Sequence, residues 1–357
     1  MKKLSFTRDN GNGFYHTLQK RVSVMLADKG QSRYANSLML FKIALYFLVF
    51  SSLYGLMLFA VGNLVWFYIT YVSIGLSILL LVFNVSHDAA HHAIFRNKKW
   101  NDRFYSLTFN LLGNNSYVWK KYHIESHHLY TNVHGSDIDV LDNPLIRMTH
   151  IQPRLYIHRF QHIYAPFIYL FYSLNWLLVR DTMLAFGKTD RSISIKLDRK
   201  QTIQLVINKL LYTGYMIVLP AIVTPVGWQH VLLAFLFMHF AMSLVITAVL
   251  AVSHLSDETT HPEPDETGKM QQSWVLLQMS TSMDYNVNSR LLNWTLGGFN
   301  AHTLHHLFPN VCHVHYPDMI PILRQTAREF GIHYNEAPYA KAAALHFRFL
   351  KRMGHEL

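Results

Sequence analysis

The chain has 357 residues, is 51% hydrophobic, carries a formal net charge of +11 and has a single cysteine, Cys312. One cysteine excludes an intramolecular disulfide framework and fits a reducing compartment. The Lys and Arg residues form no binding stripe, so the positive balance points to anionic lipid headgroups and an acidic redox partner, with no nucleic acid.

The opening Met1-Lys2-Lys3-Leu4 lacks a compact apolar core followed by a small-residue cleavage site, so no signal peptide is expected. Two apolar blocks follow back to back, roughly Leu38 to Val61 and Leu64 to Val85, parted only by Gly62-Asn63. A second pair runs from Ile203 to Val223 and from Val231 to Val252, parted mainly by Thr224 to Trp228. Each block is long enough to cross about 30 Å of hydrocarbon at about 1.5 Å per residue. Short turns make each pair a helical hairpin. Lys42 and Lys209 interrupt the first and third spans near their starting ends and are expected to snorkel.

Both hairpin turns lack Lys and Arg, whereas Lys2, Lys3, Arg8, Lys20 and Arg21 precede the first hairpin and Arg96, Lys98, Lys99, Lys120 and Lys121 follow it. The positive-inside rule then places both termini and the middle segment in the cytoplasm. A fifth block, Ile163 to Val179, is mixed with Asn175 and Trp176 and reads as one interfacial helix. The expected organisation is an N-terminal cytoplasmic segment (1–36), a first hairpin (37–86), a cytoplasmic segment (87–202), a second hairpin (203–253) and a cytoplasmic segment (254–357).

Three histidine clusters lie just beyond these spans: His87-Asp88-Ala-Ala-His91-His92, His123-Ile-Glu125-Ser-His127-His128 and His302-Thr-Leu-His305-His306. All fall on the cytoplasmic face. Neutral imidazole is the commonest metal ligand near physiological pH. Within each cluster an i,i+4 pair shares a helix face, and the neighbouring ring of a His-His pair points about 100° away, towards a second ion. His254 closes the fourth span at the same face. Nine candidates result: His87, His91, His123, His127, His128, His254, His302, His305 and His306. His92 turns away from the face of His87 and His91. So many imidazoles exceed what one zinc uses, which suggests two ions. Asp88, Glu125, Asp137 and Asp139 stand where carboxylates orient such ligands, and Asn132 and Asn300 where an amide holds water or a ligand. His150, His158, His162, His239, His313 and His315 read as ordinary satisfied histidines. Trp119, Tyr130, Trp274 and Trp294 read as packing or interface residues.

The stretches His87 to His91, Trp119 to Asn132 and Gly297-Gly298-Phe299-Asn300-Ala-His302-Thr-Leu-His305-His306-Leu-Phe308-Pro309 together resemble the integral-membrane fatty acid desaturases, and most of all their linoleoyl-CoA, or front-end, branch. Gly135-Ser-Asp137-Ile-Asp139, His158 to Tyr164 and Val314-His315-Tyr316-Pro317 add to the likeness, which runs from about residue 35 to about residue 335. The resemblance implies an all-α integral membrane protein, with four transmembrane helices in two hairpins and a cytoplasmic helical cap. It also implies a centre of two iron ions (Fe2+/Fe3+) on the nine histidines, with His254 among them. The implied activity is O2-dependent insertion of a cis double bond into a long acyl chain, carried as acyl-CoA or acyl-lipid. Two departures stand out: front-end members usually carry Gln where this chain has His302, and no His-Pro-Gly-Gly haem motif of a fused cytochrome b5 domain occurs. Electrons are therefore expected from a separate ferredoxin or cytochrome b5. Lys120, Lys121 and Arg154 are candidates to hold a CoA phosphate or a lipid headgroup. A related acyl or sphingolipid hydroxylase would need the same metals. A histidine-rich metal transporter would need polar ligands along an intramembrane path, and only Lys42, Lys209 and His239 lie inside the spans.

Overall fold

The computed structural model describes residues 4–8, 13–60, 62–186, 195 and 197–356. Lys2, Lys3 and Val61, used in the sequence reading, lie outside them. Helix α1 (Phe14–Asp28) is followed by two long apolar helices, α2 (Ser37–Phe59) and α3 (Leu64–Ala90). Asn36 and Asn63 start these two, each accepting a backbone N–H of its helix's first turn, which satisfies a donor that has no partner inside the helix. The middle segment contains α4 (Lys98–Phe109), α5 (Ser116–Tyr122), α6 (Tyr156–Tyr169) and α7 (Tyr172–Ala185). The second apolar pair is α8 (Arg199–Val223) and α9 (Trp228–His254). The C-terminal third holds α10 (Trp274–Thr281), α11 (Arg290–Thr295), α12 (His302–Leu307), α13 (Tyr316–Glu329) and α14 (Tyr339–His355). One two-stranded parallel sheet pairs β1 (Asp284–Tyr285) with β2 (Glu336–Ala337).

Among the described residues four helices are long and apolar enough to span a bilayer: α2, α3, α8 and α9. Their outward side chains include Phe59, Val65, Leu210 and Ile222, each at least two-thirds exposed, as a lipid-facing surface requires. The hairpins interlock through α3 and α9, where a Cβ on Gly75 would overlap the side chain of Met238. Tyr71, Ile74, Ile78, Met238 and Met242 fill that interface.

Two expectations change. The block 163–179 is not one interfacial helix: α6 and α7 meet at a 75° bend across Leu170 and Phe171. Lys42 does not snorkel either. It is buried, 2.6 Å from Asn84 Oδ1 and 2.8 Å from His313 Nε2, with its ammonium 5.0 Å over the Trp294 ring. A buried ammonium is tolerable only with such partners. Lys209 is also paired, donating to the Leu177 carbonyl, with Asp181 at 3.5 Å. His239 sits between the Ser173 and Tyr212 hydroxyls. Lys42, Lys209 and His239 are thus each satisfied in place.

The cap is built on the ends of these helices that carry the histidine segments. A cluster of Phe14, Leu18 and Val22 from α1 with Leu304, Met319, Ile320 and Leu323 ties the N-terminal helix to the last histidine segment. A second cluster, around Val85, Ala89 and Tyr105, fixes α4 against the end of α3.

Candidate metal centre

The first histidine segment is the C-terminal end of α3. Its helix loosens into one π turn at Val82–Ser86 before His87. Such single π turns inside α-helices often mark functional positions. His87 and His91 then share a face, and the chain leaves through His92 at a left-handed φ of 57°. His92 points away: its Nε2 lies 2.9 Å from Asp102 and 3.1 Å from Lys120 Nζ.

The second segment is itself a π turn, His123–His127, continuing α5. In that geometry residues i and i+5 align, so His123 pairs with His128, their Nε2 atoms 3.1 Å apart. The His127 ring stays near-parallel to His123 at 5.6 Å, but its nitrogen falls with those of His254, His302 and His306. The expected i,i+4 partnership of His123 and His127 therefore does not hold, because it assumed α-helical winding.

The third segment begins at Gly297 and Gly298, with φ of 60° and 86°. A Cβ on Gly297 would overlap the Phe83 carbonyl oxygen, so only glycine lets this loop pass against the π turn of α3. Short helix α12 follows, its Thr303 N–H held at 2.7 Å by the Asp284 carboxylate. His254, the last residue of α9, completes the set.

Nitrogens of His87, His91, His123 and His305 lie within 4.8 Å of one another, and those of His127, His254, His302 and His306 do the same. His128 stands between the groups, its Nε2 3.1 Å from His123 Nε2 and 3.0 Å from His305 Nε2, its ring stacked on His306 at 4.4 Å. Eight of the nine rings are buried and His91 is half-buried. Both nitrogens of His87 and His302, and Nε2 of His254 and His306, are buried without a hydrogen-bond partner. Unpaired buried polar atoms are costly, and lone pairs converging in two groups suit a pair of metal ions. The residues present fit a nitrogen-rich dimetal centre.

The surroundings fix which nitrogen is free. His127 Nδ1 donates to Asp137 at 3.1 Å, His254 Nδ1 to the Thr281 carbonyl at 3.0 Å, and His306 Nδ1 to Gln278 Oε1 at 2.7 Å. Each bond leaves Nε2 as the lone-pair atom, facing the centre. Gln278 is oriented in turn, its amide donating to the His128 carbonyl at 3.2 Å. Trp119 stacks on His123 at 4.2 Å, and Trp274 Nε1 donates to the His128 carbonyl at 3.0 Å, so both act beyond simple packing.

Burial drives the imidazoles of His91, His123, His128, His302, His305 and His306 well below their usual pKa, with neighbouring rings adding to the effect. The rings are thus held neutral, the form that binds metal. His127 departs upward: burial opposes its charging, but Asp137 and its hydrogen bond outweigh that.

Other sequence candidates sort differently. Asp137 contacts His127 directly and also accepts the Asn132 and Asp139 amides at 2.9 and 3.0 Å. Asp139 lies 3.6 Å from His127 but gives its shorter contact, 2.8 Å, to Arg180. Asn132, at a left-handed φ of 60°, donates to the His254 and Thr260 carbonyls at 3.0 and 3.1 Å, bracing the end of α9. The Asn300 amide donates to Asn293 at 2.6 Å, and its oxygen is buried without a partner. Asp88 turns from the ligands to His313, accepting its Nδ1–H at 2.8 Å and its backbone N–H at 3.1 Å. Lys42, His313 and Asp88 thereby form a buried cation–imidazole–carboxylate chain, so His313 is more than an isolated core histidine. Glu125 is exposed and orients none of these rings. Gln278 and Thr281 escaped sequence reasoning: each is one polar residue in an unremarkable helix, and Thr281 acts through its backbone.

The fatty acid desaturase family pattern matches residues 62–338. A sn-1 linoleoyl-lipid 6-desaturase of Synechocystis sp. is 30% identical over 99% of this chain and 98% of its own length. A protein of the same name from Arthrospira platensis is 28% identical over 96% of this chain and 92% of its own. An acyl-lipid (8-3)-desaturase of Physcomitrium patens is 33% identical over 76% of this chain and 57% of its own length. With the family pattern spanning three of the four membrane helices (α3, α8 and α9) and every histidine segment, the chain belongs to the fatty acid desaturase family.

Proposed function

We propose that the nine imidazoles hold two iron ions, and that the chain desaturates the acyl chain of a membrane lipid, with the histidine face and both termini in the cytoplasm. The observation that carries this reading is the pair of four-imidazole groups, seven of the eight rings buried, gathered from the ends of α3, α5 and α9 and from α12. Nitrogen ligands also suit zinc or copper, but removing hydrogen from an unactivated methylene pair calls for a redox ion. When bound, iron supplies the one-electron and dioxygen chemistry.

The chain's own residues position the substrate. An apolar groove of about 370 Å³ opens between α2, α3 and α9, lined by Val49, Leu53, Leu76, Leu80, Phe83 and Leu296 among others. At its inner end Phe83 meets Phe299 at 5.0 Å, and Phe299 lies 4.4 Å from the His87 ring. A chain seated there would run from the bilayer to the first imidazole group, held away from water and in one orientation. That kind of positioning supplies much of a catalyst's advantage. A groove between membrane helices favours a lipid-borne chain over a soluble thioester. The basic rim agrees, since Lys120 is paired with Asp102 at 2.6 Å and Arg154 donates to the His355 carbonyl. The two cyanobacterial relatives carry lipid-linked names of the same kind. His302 occupies the second imidazole group, so the position where front-end relatives carry Gln here offers a further nitrogen.

Expression in a host lacking this activity, followed by mass spectrometry of its lipids, tests the reading. Acyl chains short of one pair of hydrogens support it. Chains that instead gain one oxygen atom indicate hydroxylation. His127→Ala and His305→Ala should each abolish product and lower bound iron. Full turnover with full iron in both would remove those rings from the site.

A further inference from the structure

The centre needs electrons, and its least buried ring marks where they arrive. Of the nine imidazoles only His91 is half-buried, and it is followed by His92, also half-buried. His92, Lys120 and Asp102 are joined by contacts of 2.6 to 3.1 Å. Asp102 lies on α4, where Lys98 sits one turn earlier on the same side. Arg96, Lys98 and Lys99 are exposed, and Lys121 follows Lys120 on α5. Arg96, Lys98, Lys99 and Lys121 are thus chain neighbours of this cluster, within which Lys120 is balanced by Asp102. The acids nearby are Asp102, already neutralised by Lys120, and Glu125, exposed one turn beyond Lys121.

The faces of α4 separate this patch from the bilayer. At about 100° per residue, Trp100 and Leu107 fall on one line and Asp102 nearly opposite. Trp100 and Leu107 are 58% and 61% exposed, and Phe104, beside them, packs on Phe47 of membrane helix α2 at 6.2 Å. The aromatic and apolar side of α4 therefore turns towards membrane helix α2, with the exposed Arg103 guanidinium 5.4 Å from the Trp100 ring. Lys98 and Asp102 face the other way, towards α5 and His92.

We propose that the face formed by Lys98, Lys99 and Lys121 around the His92–Lys120–Asp102 cluster docks an acidic one-electron carrier protein. This rests on the desaturase reading above. Forming one double bond removes two hydrogen atoms from adjacent methylenes. With one dioxygen, two electrons and two protons they leave as two waters, so two reduced carriers must visit in turn and each departs oxidised by one electron. Complementary charge raises the encounter rate of such partners and suppresses wrong ones. A transient docking site of this kind relies on charge more than on buried apolar area.

The test uses the full-length, iron-loaded enzyme in phosphatidylcholine vesicles, driven either by a reduced acidic [2Fe–2S] ferredoxin or by photoreduced lumiflavin, a small uncharged donor. Wild type is compared with a Lys98→Glu/Lys99→Glu variant. The KM for ferredoxin should rise about 10-fold or more at low salt, as expected when electrostatic steering is reversed, and the difference should shrink as salt is added. The lumiflavin-driven rate and the iron content should match wild type. An unchanged ferredoxin KM, or an equal fall with both donors, would overturn the proposal. So would a ferredoxin defect seen only in vesicles containing anionic lipid, which would assign the patch to headgroups. An iron-loaded wild type that makes no product with either donor would instead sink the underlying desaturase reading.

Discussion

At the level of single residues, the centre depends on partners that hold ring nitrogens rather than on the rings alone. Gln278 is the sharpest case, because its amide grips His306 Nδ1 at 2.7 Å while donating to the His128 carbonyl. Gln278→Leu keeps the volume and removes both bonds. It should weaken metal retention by about 10- to 100-fold, the usual cost of losing such a partner, as read by iron content after dialysis against a graded chelator. Retention equal to wild type would make the contact incidental. Asp139→Asn should cost less than Asp137→Asn in the same assay, since Asp139 gives its closer contact to Arg180. The histidines were legible in the sequence because ligand chemistry confines residue type. Gln278 was not, since nothing in its own segment marks a lone glutamine, and Asp88 misled because its neighbour in the chain is not its neighbour in space.

At the level of elements, the membrane helices were legible within a few residues, because the hydrocarbon thickness sets their length and excludes charge. Helix winding was not. The two π turns at Val82–Ser86 and His123–His127 leave no compositional trace, yet the second decides that His123 and His127 serve different groups. The 75° bend between α6 and α7 was hidden likewise, since it falls between Leu170 and Phe171, neither a helix breaker, four residues beyond Pro166. Close passage of the Gly297 loop over the Phe83 carbonyl gives the test at this scale. Gly297→Ala should destabilise the fold by about 1–3 kcal/mol, typical for a side chain forced into a left-handed backbone, and should lower iron content in the purified protein. Iron content and thermal midpoint both equal to wild type would show that the loop can yield.

For the whole molecule, stability should follow both metal and pH. A ligand that binds only the folded state stabilises by about 4 kcal/mol at a thousand times its dissociation constant, so stripping the metal should lower the unfolding midpoint and re-adding iron should restore it. An unchanged midpoint would mean that the cap holds together without the ions. Asp284, buried beside Thr303 and Tyr334, supplies the pH term: burial raises its carboxyl from 3.8 to about 7, against the pull of its hydrogen bonds. The folded state therefore keeps this proton to higher pH than the unfolded chain does. Its stabilising contribution is full below about pH 4 and is lost as pH rises towards 7. Asp284→Asn should flatten that decline in a thermal-inactivation profile, and an equally steep profile would place the pH dependence elsewhere.

The imidazoles come from the end of α3, from the π turn after α5, from the last residue of α9 and from α12, so the centre spans positions 87 to 306 of the chain. During synthesis the first rings emerge long before the final ones, and all must wait until the fourth crossing has been threaded into the bilayer. Metal capture by the assembled rings is therefore a late step of biogenesis, and it registers whether insertion has succeeded. A nascent chain halted ahead of α12 would carry only six of the nine rings, and cellular quality control could distinguish it from the finished enzyme by its failure to load.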